Sequence, residues 1–174
     1  MDNRKLFGGA IEAQIPSRFI DVSDFRPVPD HQEVFSDEAA DQSIIIEIVE
    51  LSQTAEECPG RFYLKDLAAV NGAIEWAETS ECEELGVSDS VPRLGGGEVA
   101  SARVFCVTGA MVVDTSHGEE GKRHGVEVVL GVVRLPDRDT DVLISLNTPP
   151  GSGGQDVFHG ILASFHITDW GLFG

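Results

Sequence analysis

The sequence predicts an α+β protein, an antiparallel β-sheet flanked by helices. Two long β-branched runs, Ala102–Val113 and Gly125–Leu135, are separated by a polar stretch containing Gly118 and Gly121, the pattern of a hairpin. Phe62–Ala69 reads as a short helix, and Val157–Phe165 sets Val157, Phe158, Ile161, Leu162 and Phe165 on one helical face. Strands that follow one another through short turns pair antiparallel, because parallel neighbours need a long crossover. The two helices are then free to cover the faces of the sheet.

The elements follow in chain order. Phe7-Gly8-Gly9-Ala10 marks a turn or a close approach of backbone. Pro27 and Pro29 hold the next segment extended, and Val34-Phe35 begins a short strand. Ile44–Leu51 is rich in β-branched residues, which favours a strand, although Ile44, Ile45, Ile48 and Val49 also share a helical face. The helix at Phe62–Ala69 is expected to end near Asn71-Gly72, residue types suited to the left-handed conformation. Ile74–Thr79 sets Ile74 and Trp76 among Glu75, Ala77 and Glu78 and suggests a strand. Pro92–Gly97, with Gly95-Gly96-Gly97, reads as a turn. Asp114–His124 reads as the hairpin loop, Pro136 with the charged Asp137–Asp141 run as a turn, Val142–Leu146 as a strand, and Pro149–Gly154 as a breaker-rich loop.

A chain of 174 residues with 41% hydrophobic content fits a single domain, 1–174, with its own core. No apolar run approaches the roughly 18 residues of a membrane span, and Met1–Leu6 lacks the apolar core of a secretory signal. Cys58, Cys82 and Cys106 lack metal-ligand spacing and cannot all pair, which suits a reducing compartment. The net charge is −18, and it is uneven: Asp21–Glu57 holds eleven acids against one base, Arg26. Glu75, Glu78, Glu81, Glu83, Glu84 and Asp89 form a second acidic stretch. Such a surface repels nucleic acid and anionic membranes and attracts a basic protein face.

Catalytic chemistry finds little support. The five histidines, His31, His117, His124, His159 and His166, are scattered and lack metal-ligand spacing. Gly95-Gly96-Gly97-Glu98 lacks the Lys-Ser/Thr of a nucleotide-binding loop. No catalytic residue, cofactor or metal is therefore assigned. The acids near Asp21–Glu50 are the better candidates, as a contact surface. For Asp21 or Ser23 a simple turn cap is the competing role. Asp30 and Glu33, after the proline-held segment, are expected to form an exposed acidic pair. Glu47 should face away from Ile46 and Ile48 if its segment is a strand. Phe25, between Asp24 and Arg26, is expected in the core rather than as an aromatic anchor.

Leu6–Ile11, Phe19–Asp30 and Gln32–Phe35 form an ordered set that resembles the Ran guanine nucleotide release factors. Asp41–Glu50, Phe62–Leu67 with Asn71-Gly72-Ala73, Val133–Pro136, Thr140–Asn147, Pro149, Phe165-His166 and Leu172-Phe173 continue the resemblance in collinear order across nearly the whole chain. His31 and the insert around 114–125 depart from the family pattern. The resemblance implies an α/β/α sandwich similar to the photosystem II extrinsic protein fold. It implies a non-enzymatic regulator that binds Ran, promotes loss of GTP and supports nuclear import, acting as a monomer in nucleus and cytoplasm. The contact candidates are Asp21, Asp24, Arg26, Asp30, Glu33, Glu47 and Glu50. A structural or small-ligand-binding protein that shares the fold is the alternative.

Overall fold

In the computed structural model, which describes residues 1–53, 57–94, 100–114 and 122–174, the β-branched runs build one large antiparallel sheet. Its strands are β3 (Ile20–Asp21), β4 (Gln32–Asp37), β5 (Gln42–Glu50), β6 (Ala73–Glu78), β7 (Glu83–Leu85), β8 (Arg103–Asp114), β9 (Arg123–Leu135) and β10 (Thr140–Thr148). The spatial order is β3-β4-β5-β10-β9-β8-β6, with β7 also pairing to β8. A second sheet of three strands, β1 (Asp2–Leu6), β2 (Ile11–Ile15) and β11 (His166–Ile167), was not anticipated from the sequence. Among the described residues three helices complete the fold, α1 (Pro59–Val70), α2 (Val87–Ser90) and α3 (Gln155–Ser164).

The alternation of side chains gives the large sheet two apolar faces. One face sets Ile44, Ile46, Val104, Val133, Val142, Ile144 and Leu146 against Phe158, Ile161 and Leu162 of α3 and against Leu6, Ile11, Ala13 and Ile15 of the small sheet. The other sets Phe105, Val107, Met111, Val128, Leu130 and Val132 against Tyr63, Leu64 and Ala68 of α1. Helices α1 and α3 each ride on a strand glycine. A Cβ at Gly131 would stand 2.8 Å from the Phe158 ring, and one at Gly109 would stand 2.6 Å from a Leu64 methyl. The sandwich architecture therefore matches the expectation, with α3 and the small sheet sharing one outer layer.

The hairpin β8–β9 is antiparallel as expected, but its pairing runs further than its apolar residues. Val113 pairs with His124 and Asp114 with Arg123, so both ends of the anticipated loop belong to strands. The middle of that loop, 115–121, and the anticipated Gly95-Gly96-Gly97 turn lie outside the described residues. Ile44–Leu51 is a strand rather than a helix, and α1 ends at Asn71-Gly72, with Gly72 at φ 64°. Among the described residues no helix is long and apolar enough to cross a membrane.

The charged Asp137–Asp141 segment is only partly a turn. A 3-10 turn covers Pro136–Arg138, whereas Thr140 and Asp141 open β10 and are buried. Asp141 lies opposite Arg134 on β9. The Arg134 Nε donates to Asp141 Oδ1 (2.9 Å) and Nη2 to Oδ2 (2.8 Å). The Tyr63 hydroxyl of α1 also donates to Asp141 Oδ2 (2.6 Å), and Arg134 Nη2 reaches the Ser52 carbonyl (3.1 Å). The carboxylate is thus paired and hydrogen-bonded, the condition under which a buried charge is tolerated.

Burial, then the hydrogen bond to Asp141, pushes the Tyr63 hydroxyl well above its ordinary range. The unfolded chain would ionise this tyrosine near pH 10 while the folded protein keeps it protonated, so the linked stability is full below about pH 10 and falls as pH rises beyond it. Tyr63 is the only tyrosine. Tyrosinate absorbance should therefore stay absent in the folded protein between about pH 10 and 11 and rise together with loss of circular dichroism. A titration at pH near 10 with structure intact would contradict this network.

Candidate functional site

The acidic candidates gather along the β3–β4–β5 edge of the large sheet, but the pleat divides them. Asp21 pairs opposite Phe35, and Glu33 opposite Ile46, which puts Asp21 and Glu33 on the face that carries the small sheet. Glu47 pairs opposite Gln32 and lies on the α1 face, away from Ile46 and Ile48 as expected for a strand. Glu50, exposed at the end of β5, shares the side of Ile46 and Ile48. Asp24, Arg26 and Asp30 are exposed in the connection between β3 and β4.

Asp21 is a cap, the local role weighed against contact in the sequence. Its Oδ1 accepts from the Ser23 amide (2.9 Å) and the Ser23 hydroxyl (2.6 Å), closing the 3-10 turn Val22–Asp24. That turn aims the following residues outward. Phe25 is 77% exposed, which corrects the expectation of a core position. Val22, Val34 and Phe35 supply the burial in this part of the chain, and Phe25 stands free beside Asp24 and Arg26. Ile20 is also exposed at the start of β3.

Glu33 departs from the expected exposed pair. It is half-buried, and its Oε1 accepts a hydrogen bond of 2.6 Å from the Phe7 amide. Phe7 has φ 50°, a left-handed conformation rarely adopted by a bulky residue. The carboxylate thus satisfies the amide of a strained turn, the Phe7-Gly8-Gly9 connection between β1 and β2. Burial raises the Glu33 pKa, against the lowering effect of the Phe7 amide, and the nearby Asp21 charge raises it further. Asp30 stays on the surface, so the two acids are not an equivalent pair.

On the other face, the Glu47 carboxylate lies 3.4 Å from His31 Nε2. A groove of about 270 Å³ opens beside it, between α1 and the sheet, with Gln32, Asp66, Leu67 and Val70 on its walls. Val70 is largely exposed at the groove's lip. Among the described residues the histidines do not converge: His159 stacks edgewise on Phe158 within α3, and His166 belongs to β11. Among the described residues no group of three or more His, Cys, Asp or Glu side chains could hold a metal ion.

The sandwich thus presents an acidic edge with one exposed aromatic side chain, Phe25, a surface chemistry on which a protein partner can dock. The sequence model of the family described as "Ran-interacting Mog1 protein" matches residues 4–149, and the chain belongs to this Mog1 family. It is 34% identical to the "Ran guanine nucleotide release factor" of Danio rerio, over 99% of this chain and all of that protein. The protein of the same name from Homo sapiens is 35% identical over 83% of this chain and 74% of its own length. The crystal structure of the Saccharomyces cerevisiae Ran-binding protein Mog1p superimposes with a TM-score of 0.70 at 26% identity, covering the whole of both chains.

The buried ionisation of Glu33 has a pH signature. A carboxyl with a raised pKa contributes full stability below its unfolded value and loses it as pH rises through the folded value. Glu33→Gln keeps an oxygen for the Phe7 amide and removes the charge. Wild type should therefore lose thermal stability relative to Glu33→Gln as pH rises from about 4 to 7. Parallel melting curves across that range would show that Glu33 is not buried against this turn.

Proposed function

We propose that this protein binds the small GTPase Ran, promotes release of its guanine nucleotide and supports nuclear protein import, working as a regulator in nucleus and cytoplasm. Membership in the Mog1 family carries the reading. The docking surface is the β3–β4–β5 edge, with Asp24, Arg26, Asp30, Glu47 and Glu50 as its charged contacts and Phe25 as its aromatic anchor. Asp21 and Glu33 serve the same surface by holding the turns that shape it.

The physical account is linkage. A protein that prefers the nucleotide-free GTPase weakens nucleotide binding by the same coupling factor. Carboxylates brought to a nucleotide site compete with phosphates for a lysine and for Mg²⁺. The net charge of −18 also steers encounter with a basic surface. Phe25 adds what charge alone does not, an apolar side chain that is desolvated only in the complex.

The double variant Asp24→Lys/Asp30→Lys tests the surface. Both positions are exposed, so stability should change by only about 0.5 kcal/mol. The association rate with Ran should fall at least tenfold at low salt, and the wild-type rate should itself fall as ionic strength rises. Phe25→Ala should act mainly on dissociation. A folded double variant that associates with Ran at the wild-type rate, with the same salt dependence, would remove this edge from the interface.

A further inference from the structure

Two cysteines far apart in sequence meet at the start of α1. Cys58 is the N-cap residue of that helix, and Cys82 lies in the connection between β6 and β7. Cys58 is near enough to Cys82 to raise the pKa of its thiol. The Cys82 sulfur also lies against the first turn of the helix: a Cβ on Gly60 would stand 3.0 Å from Cys82 Sγ, and the nearby Gly60 and Arg61 amides favour its thiolate. Both side chains are only partly buried, and all three cysteines are free thiols. Cys106 is excluded from the pair. It shares the β8 face with Val104, whereas Cys82 packs with the α1-side cluster, so the sheet stands between them.

We propose that Cys58 and Cys82 form an oxidation site, converted by hydroperoxides into an intramolecular disulfide that fastens the first turn of α1 to the β6–β7 connection.

The chemistry divides the roles. Burial first, and the neighbouring Cys58 next, push the Cys82 thiol up to about 12, so Cys82 keeps its proton, and we assign the attack to Cys58 at the helix N-cap. The Cys58 thiolate attacks one peroxide oxygen. The O–O bond breaks, the leaving oxygen takes a proton and departs as water or alcohol, and Cys58 becomes a sulfenic acid. The Cys82 sulfur then attacks the Cys58 sulfur. The S–S bond forms as the S–O bond breaks, and the Cys82 proton leaves with the hydroxide as water. Two electrons pass from the two thiols to one peroxide. The amides of Gly60 and Arg61 stabilise negative charge on Cys82 as its proton departs. Cys106, pushed up to about 11 by burial and then by the Glu83 charge, has no second thiol to capture an oxidised form.

Treatment of the full chain with stoichiometric hydrogen peroxide, followed by alkylation and peptide mapping without reductant, reads the site directly. The expected result is a Cys58–Cys82 cross-linked peptide, an alkylated Cys106, and reversal by dithiothreitol. The cross-link should raise the melting temperature by about 5–10 °C. Cys82→Ser should stop at a sulfenic acid on Cys58 that dimedone traps, and Cys58→Ser should leave Cys82 alkylatable. Three alkylatable thiols after treatment, a linkage through Cys106, or further oxidation of Cys58 to the sulfinic acid in wild type would each overturn the proposal.

Discussion

The Arg134–Asp141 ion pair is the constraint on which the rest of the structure depends. It joins adjacent central strands at one cross-strand position, so it fixes the β9–β10 register with charge as well as with apolar contacts. A slip of β10 by one residue would turn Asp141 to the opposite apolar face, where Val142 belongs, and leave Arg134 without its partner. Removing one partner of such a pair costs about 3–5 kcal/mol, against about 5–15 kcal/mol of total stability for a domain. Tyr63 and the Ser52 carbonyl extend the network to α1 and to the exit of β5. The strand that carries Glu47 and Glu50 is thereby held at its Glu50 end.

From that anchor the sheet spreads outward to its β3 edge. β3 has only two residues, and the chain beyond it turns on the Asp21 cap and the two prolines. This arrangement gives Asp24, Phe25, Arg26 and Asp30 fixed backbone positions without burying their side chains, which lowers the entropy cost of docking. Glu33 ties the same edge to the small sheet through the Phe7 amide. The pleat sends Glu33 and Glu47 to opposite faces. A long-range field does not distinguish faces, whereas close contact does, so Glu47 and the Asp24–Asp30 loop engage a partner only if it wraps the edge.

Much of this was legible in the sequence, for physical reasons that also explain the rest. β8, β9 and β10 are β-branched and long, and α3 has a clean apolar face, so periodicity found them. β1 reads Asp-Asn-Arg-Lys-Leu, with a single buried residue, and no pattern marks it. β2 did carry a signal, since Ile11, Ala13 and Ile15 alternate with Glu12 and Gln14 and are buried. Asp141 was read with its charged neighbours, yet Arg134 inside the apolar run Gly131–Leu135 was the clue that a buried cation needed a partner. Phe25 defied the tendency of aromatic residues to be buried because Val22 and Phe35 already fill the nearby core. The contact of Cys58 with Cys82 depends on how α1 meets the β6–β7 connection, which no local pattern encodes.

The central claim is that this protein couples its own binding to loss of nucleotide from Ran. The direct measurement is the release rate of a fluorescent guanine nucleotide from Ran as this protein is titrated in, with excess unlabelled nucleotide present. The account predicts acceleration that rises with concentration and saturates as the complex fills, with weaker binding of this protein when free nucleotide is raised. A release rate that stays at its intrinsic value while the two proteins demonstrably associate would contradict it.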